Sequence, residues 1–364
     1  MPLVVSSISM PLSESAPEVS VIVPARNEEA CLAECLRSLA NQQGPSYEVI
    51  VVDDHSTDST RAIATNFAVE LIDADELPTG WSGKCNAVWS GANAARGKWL
   101  LFTDADTRHA SDSIARGLQE ATDRRADMLS YSPKQEVRGL AERALMPVIF
   151  AELAATYPPG KVCDPKSAVA AANGQYLLVR REAYDAVGGH ASVGTALLED
   201  VELAKRLKRA GFVLSFGVSN ALSTRMYRSF SQMWEGWTKN LALLFPSARW
   251  LALWRVFEFA AIADLVLFAI VSLAKGNVSS ASIAGAGAAA WLSFFGRRIA
   301  RAHFDWVSNI LAFFGLPLFA VLLLNSSISL KQGRIRWKGR EYSGRRIVHP
   351  CGGVQPATHV SDQH

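Results

Sequence analysis

Apolar runs and amphipathic stretches alternate along the first 250 residues in the manner of a wound α/β domain. Val19–Val23 (VSVIV) has no polar face, the pattern of a strand buried on both sides, and Pro24 is expected to end it. Glu28–Leu39 spaces Ala30, Leu32, Leu36 and Leu39 among charged residues, which predicts a helix covering one sheet face. Tyr47–Val52 is a second strand running into the polar turn DDHSTDST, followed by a helix over Thr60–Phe67 and a short strand over Val69–Asp73. Gly83–Arg96 is helical in pattern and closed by Gly97, and Trp99–Thr103 is a fourth strand that delivers Asp104-Ala105-Asp106. Beyond it the pattern predicts helices over Ser111–Thr122, Leu140–Thr156 and Glu199–Ala210, with strands starting at Asp127 and lying within Ala168–Val179. A mostly parallel sheet wound in this way holds its ligand beyond the carboxyl ends of the strands.

Hydropathy rises sharply near residue 250. Trp250–Ala274 is strongly apolar although Arg255, Glu258 and Asp264 interrupt it, and Val278–Gly296 is rich in Ala and Gly. Trp306–Leu324 is uncharged over 19 residues, nearly enough to cross a hydrocarbon core at about 1.5 Å per residue. The expected division is a leader at 1–17, a catalytic domain at 18–249, two or three membrane-associated helices at 250–327 and a basic tail at 328–364. A buried helical subdomain of a soluble protein accounts less well for three such segments in about 75 residues. The basic stretches RRIARAH and KQGRIRWKGR both favour the cytoplasmic side. Three full spans cannot place both there with the main domain also inside. One segment, the charged first or the weak second, is therefore expected to lie at the interface or re-enter.

Charge and cysteine content narrow the function. The 37 basic and 34 acidic residues are mostly interspersed, and a net charge of +3 without a basic stripe argues against a nucleic-acid binder. Cys31, Cys35, Cys85, Cys163 and Cys351 have no metal-site spacing and read as thiols in a reducing compartment. The leader has no basic segment ahead of an apolar one, so no signal peptide is expected.

Asp104 and Asp106, on alternate residues of what reads as an extended segment, would point to one side and approach a single hard cation. A cation there would neutralise charge on a departing diphosphate, although capping or solvated loop acids give the same pattern. Asp53 and Asp54 end another strand, where acids can accept hydrogen bonds from a base or ribose, and Asp58 can cap the next helix. Lys84 at a helix start offers an ammonium to phosphate, or is merely a surface lysine. Glu199 and Asp200 open a helix, as dipole partners or as acids placed to take a proton. Ala191–Thr195 is a flexible approach to them. Arg225 and Arg228, with the tryptophans at 234 and 237, lie just before the apolar region and suit a diphosphate and a lipid surface respectively.

Taken in order, VSVIVPARNEEACLAECLRSL, EVIVVDDHSTDST, GKCNAVWSGANAARGKWLLFTDADT, ANGQYLLVRREAYDAVGGH and LLEDVELAKRLKRAGF resemble the inverting glycosyltransferases of family 2, with the GT-A fold. The resemblance covers about residues 18–245 and implies a nucleotide-diphosphate sugar donor, preferably a UDP-sugar, with Mg2+ or Mn2+ as the cation. By the same resemblance Pro24, Arg26 and Glu28 line the nucleotide pocket, Asp53 and Asp54 contact uracil or ribose, Asp104 and Asp106 bind metal, and Asp200 is the base. LPTGWSGKCNAVWSG, RMYRS, WEGWTKN and the apolar tail resemble the hopanoid- and carotenoid-associated membrane members, implying a lipid-like acceptor and a catalytic domain facing the cytoplasm. Such members often begin with an amino-terminal span that the polar leader does not resemble. Processive synthases carry Q-x-x-R-W where this chain has Gln232-Met233-Trp234-Glu235-Gly236-Trp237, which favours transfer of one sugar. A chain-extending synthase and a catalytically idle scaffold are the alternatives.

Overall fold

The computed structural model describes residues 16–337 and 340–342; most of the leader, Cys351 and the tail beyond residue 342 lie outside them. The chain begins β1 (Val19–Ala25), α1 (Leu32–Ala40), β2 (Tyr47–Asp53), α2 (Thr60–Ala64), β3 (Glu70–Asp73), α3 (Gly83–Ala94) and β4 (Trp99–Phe102). It continues β5 (Thr107–His109), α4 (Ser113–Asp123), β6 (Met128–Gln135), α5 (Leu140–Thr156), α6 (Pro159–Cys163), β7 (Leu177–Arg180) and α7 (Arg181–Ala186). Then come α8 (Glu199–Arg209), β8 (Leu214–Thr224) and α9 (Phe230–Leu244).

The strands form one sheet in the order β3-β2-β1-β4-β7-β6-β8-β5. The pairs β3/β2, β2/β1, β1/β4 and β6/β8 are parallel, and β7 and β5 run against their neighbours, so the sheet is largely parallel in a GT-A-like arrangement. Alternation along each buried strand explains the two layers of helix. Val21, Val23, Val51 and Leu101 face α1, whereas Ile22, Val52, Leu100 and Phe102 face α3. Pro24 does not end β1; it continues to Ala25, with Pro24 opposite Val52. β4 pairs with β1 only as far as Phe102 opposite Ile22, so beyond that point β1 is an edge towards β4 and a residue without N–H is tolerated.

Three long apolar helices follow: α10 (Ala248–Ala274), α11 (Val278–Ile299) and α12 (Trp306–Lys331). Each is long and apolar enough to cross a membrane. Two of the three charges that argued for keeping the first segment at an interface, Arg255 and Glu258, are turned inward, whereas Asp264 is exposed. Arg255 and Glu258 of α10, Glu152 of α5 and Arg298 of α11 are all buried in one balanced cluster, with Arg255 Nη1 at 2.8 Å and Arg298 Nη2 at 2.8 Å from Glu258 Oε2. Arg255 Nε also lies 3.0 Å from Glu152 Oε1. Two cations and two anions with mutual hydrogen bonds can leave water together where any one alone could not.

The third core joins these helices to α5 and α9, through Leu145, Met146, Trp237, Leu241, Leu316 and Phe319 among others. At Gly315 the two backbones are so close that a Cβ would sit 2.0 Å from the Ala144 carbonyl oxygen of α5. Gly315→Ala should therefore force α12 off α5 and cost about 1–3 kcal/mol, read as a lowered unfolding midpoint in detergent, while Gly285→Ala, with open space around it, should leave the midpoint unchanged.

Candidate active site

Four separate stretches meet beyond the carboxyl ends of β1, β2 and β4. Ser82 caps α3 by accepting from the Cys85 amide at 3.1 Å, which orients the first helical turn and Lys84 on it. Lys84 Nζ lies 2.7 Å from Asp104 Oδ1 and 3.2 Å from Glu199 Oε1, so it is not a solitary surface lysine. Asp200 Oδ2 accepts from the Gly174 amide at 2.8 Å, and its Oδ1 from the Val201 amide at 2.8 Å. A Cβ on Gly174 would stand 3.0 Å from Lys84 Nζ and 3.6 Å from Asp200 Oδ2, which fixes how tightly the three stretches close.

Electrostatics follow from that crowding. Burial, and then the neighbouring Glu199 charge, push the Asp200 carboxyl up to about 6. Burial works in the same direction on Glu199, yet Lys84 and then Lys239 of α9 outweigh it and hold that carboxyl below its ordinary value. For Lys84 burial is overcome by Asp104, then Glu199 and Asp200, so its ammonium is firmly charged. Burial lowers Lys239, which receives Glu199 and Asp200 as favourable neighbours.

Asp104-Ala105-Asp106 is not the extended segment that alternate acids suggested. The Thr107 amide donates to the Asp104 carbonyl at 3.1 Å, so the motif is a tight turn between β4 and β5. Thr103 Oγ1 donates to the Gln175 carbonyl at 2.8 Å, and Thr224 Oγ1 to the Asp106 carbonyl at 3.3 Å, clamping the turn from both sides. Asp104 consequently meets Lys84, while Asp106 lines a cavity of about 170 Å³ together with Arg108, Arg138, Arg225 and Arg228. Arg225 Nε is buried there without a hydrogen-bond partner, and Arg228 Nη2 donates to the Ala30 carbonyl at 2.6 Å. Among the described residues no three His, Cys, Asp or Glu side chains group to hold an ion alone. Two carboxylates on a turn nevertheless suit Mg2+ or Mn2+, which take hard oxygen donors and share their shell with water and phosphate.

The remaining predicted residues gather beside this crevice. Asp53 and Asp54 are both buried at the end of β2; Arg26 Nη1 lies 3.6 Å from Asp54 Oδ2, and Arg61 Nη1 3.5 Å from Asp53 Oδ2. The Glu28 amide donates to Thr60 Oγ1 at 2.7 Å, and the Glu28 carboxylate accepts from the Cys31 thiol at 3.1 Å. Asp58 takes the Thr60 amide at 3.0 Å and the Glu29 amide at 3.1 Å, lacing the turns after β1 and β2 together. Asn27 and His55, one in each turn, have φ of 54° and 56°, strain concentrated where a ligand would contact backbone. The Ala191–Thr195 approach is anchored as folded: Gly194 lies flat beneath the Trp81 ring, and Ser82 donates to its carbonyl at 2.9 Å.

Residues 20–188 match the family model described as Glycosyl transferase family 2. The likeness to that family spans a little under half of the chain. Among curated proteins, the 4,4'-diaponeurosporenoate glycosyltransferase of Staphylococcus haemolyticus (strain JCSC1435) is 31% identical over 243 residues, 63% of this chain and 62% of that protein. The protein of the same name from Staphylococcus aureus (strain USA300) is 28% identical over 345 residues, 89% and 88% of the two chains. The first match thus spans under two thirds of the relative's length. The mannosyltransferase PcManGT of Pyrobaculum calidifontis, solved in complex with GDP-Man and Mn2+, superposes with a TM-score of 0.51 at 18% identity, covering 87% of each chain, which supports the fold.

In this chain, sequence reasoning passed over Gly174, Gln175, Arg108 and Arg138, which build the site by position rather than by motif, whereas Thr224 and Lys239 lie in the basic and aromatic stretches it singled out. Of the first four, only Gly174 gave a signal, as the glycine of the ANGQ turn. Lys84→Met should leave Glu199 and Asp200 short of counter-charge and destabilise the fold at pH 7. The expected loss is about 1–2 kcal/mol, kept small because the lysine side chain is 39% exposed. Carboxyls raised in the folded state bind protons more readily folded than unfolded, so the deficit should shrink as pH falls from 7 to 5 in parallel unfolding curves.

Proposed function

We propose that the protein is an inverting glycosyltransferase that moves one sugar from a nucleotide-diphosphate sugar, with UDP-sugars first among candidates, to a lipid-like acceptor of the carotenoid type at the membrane. The supporting observation is the convergence of Lys84, Asp104, Glu199 and Asp200 in one crevice, flanked by Asp54 and by the arginine cavity behind Asp106. Pro24, Arg26, Glu28, Asp53 and Asp54 form the nucleoside side. Arg225, Arg228 and Lys84 are the partners for the diphosphate. Asp104 and Asp106 would hold the divalent cation, which when bound supplies charge neutralisation for the leaving group.

Asp200 receives the proton of the acceptor hydroxyl as its oxygen bonds to the anomeric carbon. The bond from that carbon to the diphosphate breaks on the opposite face, the nucleotide diphosphate leaves with the electron pair, and the configuration inverts. A carboxyl held near 6 by burial and Glu199 is well poised for this task at neutral pH. Glu199, kept ionised by Lys84, contributes field rather than proton transfer. The relatives' action on diaponeurosporenoate supports a lipid-like acceptor, and the basic residues flanking the apolar helices support a catalytic domain on the cytoplasmic side.

One observation favours an idle scaffold instead: Lys84 already neutralises Asp104. The two readings separate on release of nucleotide diphosphate. Native membranes containing the protein, given a panel of labelled nucleotide sugars, should yield a lipid heavier by one hexose; a polymer would identify a processive synthase, and no release with any donor would leave only the scaffold. Asp200→Asn should cut transfer by about 100- to 10,000-fold with folding intact, and transfer at the unmutated rate would remove Asp200 from the mechanism. A base must be ionised, so kcat/KM should rise as pH is raised through about 6 and flatten above it. Asp104→Ala with Asp106→Ala should abolish cation-dependent donor binding by calorimetry while leaving the unfolding midpoint near that of the parent.

A further inference from the structure

The three apolar helices do not stand in equivalent relation to the rest of the molecule. α10 and α11 run as a hairpin: Leu265 lies against Gly287, Phe257 against Trp291 at 6.0 Å, and Glu258 against Arg298 at 2.8 Å. Their turn at Lys275–Asn277 is thus the point farthest from the ion cluster, with about 24 Å of helix between Glu258 and Ala274. Leu267, Phe268, Ile270 and Leu273 on that stretch are all more than half exposed, an apolar surface suited to hydrocarbon, with Asp264 the one exposed charge on it.

α12 behaves differently. At its start Asp305 pairs with Arg143 of α5 at 3.7 Å, and Phe313 packs on Phe259 at 4.9 Å and Phe295 at 6.1 Å. By Phe319 it has passed the beginning of α10, because Phe319 lies against Phe245 at 6.2 Å, three residues before that helix starts. Farther on, Ser326 Oγ donates to the Thr238 carbonyl at 2.6 Å and accepts from the Ala242 amide at 2.9 Å, both on α9. Only the thirteen residues Trp306–Leu318 run beside the hairpin, about 20 Å of helix, whereas a crossing needs about 20 residues. The share of buried residues agrees: 44% of the apolar window of α12 is buried against 17% for each of α10 and α11.

We propose that α10 and α11 alone cross the bilayer, as a hairpin, and that α12 is a docking helix that returns along α5 and α9 to the catalytic side. Arg249, Arg297, Arg301, Lys331 and Arg334 then all lie on the side of the catalytic domain, and Lys275 alone lies at the tip. That distribution is what the charge preference of cytoplasmic flanks requires, and no segment needs to re-enter.

The test uses the full chain with single added thiols at exposed positions, Ser279→Cys at the tip, Ala300→Cys at the base and Gln332→Cys after α12. Right-side-out and inverted vesicles are treated with a membrane-impermeant maleimide, and the unsubstituted chain gives the background from its own cysteines. The expected result is labelling of positions 300 and 332 from the same face and of 279 from the opposite one. Labelling of 300 and 332 from opposite faces would make α12 a span and overturn the proposal, and labelling of 279 from the face of 300 would overturn the crossing hairpin. The readout needs no substrate, so its failure is distinct from failure of the catalytic assignment.

Discussion

Three carboxylates drawn into one partly buried volume repel one another unless a positive charge stands among them, and Lys84 is that charge. It touches Asp104 at the end of β4 and Glu199 at the start of α8, and it limits what residue 174 can be. The arrangement divides the acids by role without distinct chemistry in the side chains. Glu199 receives the ammonium directly and stays ionised, while Asp200, one residue on, receives backbone amides and is pushed upward by burial and by its neighbour. One acid becomes fixed charge and the other a group that can exchange a proton near neutrality.

The parts of the fold legible in the sequence are those whose burial is symmetrical. VSVIV, EVIVV and KWLLF are apolar on both faces because helices cover both faces, and a run of that kind has few other readings. β8 could not be read in that way: LSFGVSNALST carries Gly217, Ser219 and Asn220 on a partly exposed strand, and its pairing with β6 shifts register after Pro133. Missing β8 hid β5, which pairs only with it, and hid the turn at Asp104–Asp106 that the β4–β5 connection imposes. Spacing alone could find the two acids but not show that one faces the lysine and the other the arginine cavity.

Hydropathy read along the chain has a corresponding blindness. It measures how apolar a segment is, not whether lipid or protein receives it. Arg255 and Glu258 lower the score of α10, yet they face Glu152 and Arg298 inside the bundle and leave Asp264 as the one charge on an otherwise apolar outer surface between them and Ala274. α12 scores as high as α10, but the surface that earns the score is spent largely on α5, α9 and α10, and Asn325 and Ser326 find their partners on α9.

The connection between the two halves explains why the site lies where it does. α5 leaves the carboxyl end of β6 just after Arg138, and α9 leaves the carboxyl end of β8 just after Arg225 and Arg228. The same two crossings that wall the arginine cavity therefore carry the helices that hold α12 and the ion cluster. Lys239, whose charge supports Glu199, is only one residue from Thr238, which α12 engages. Packing that fixes the apolar helices against α5 and α9 thus also positions Lys239 towards the acid pair. Under the proposed function, that shared framework brings a lipid-like acceptor near the site, because the arginine cavity and the apolar helices rest on the same two helices.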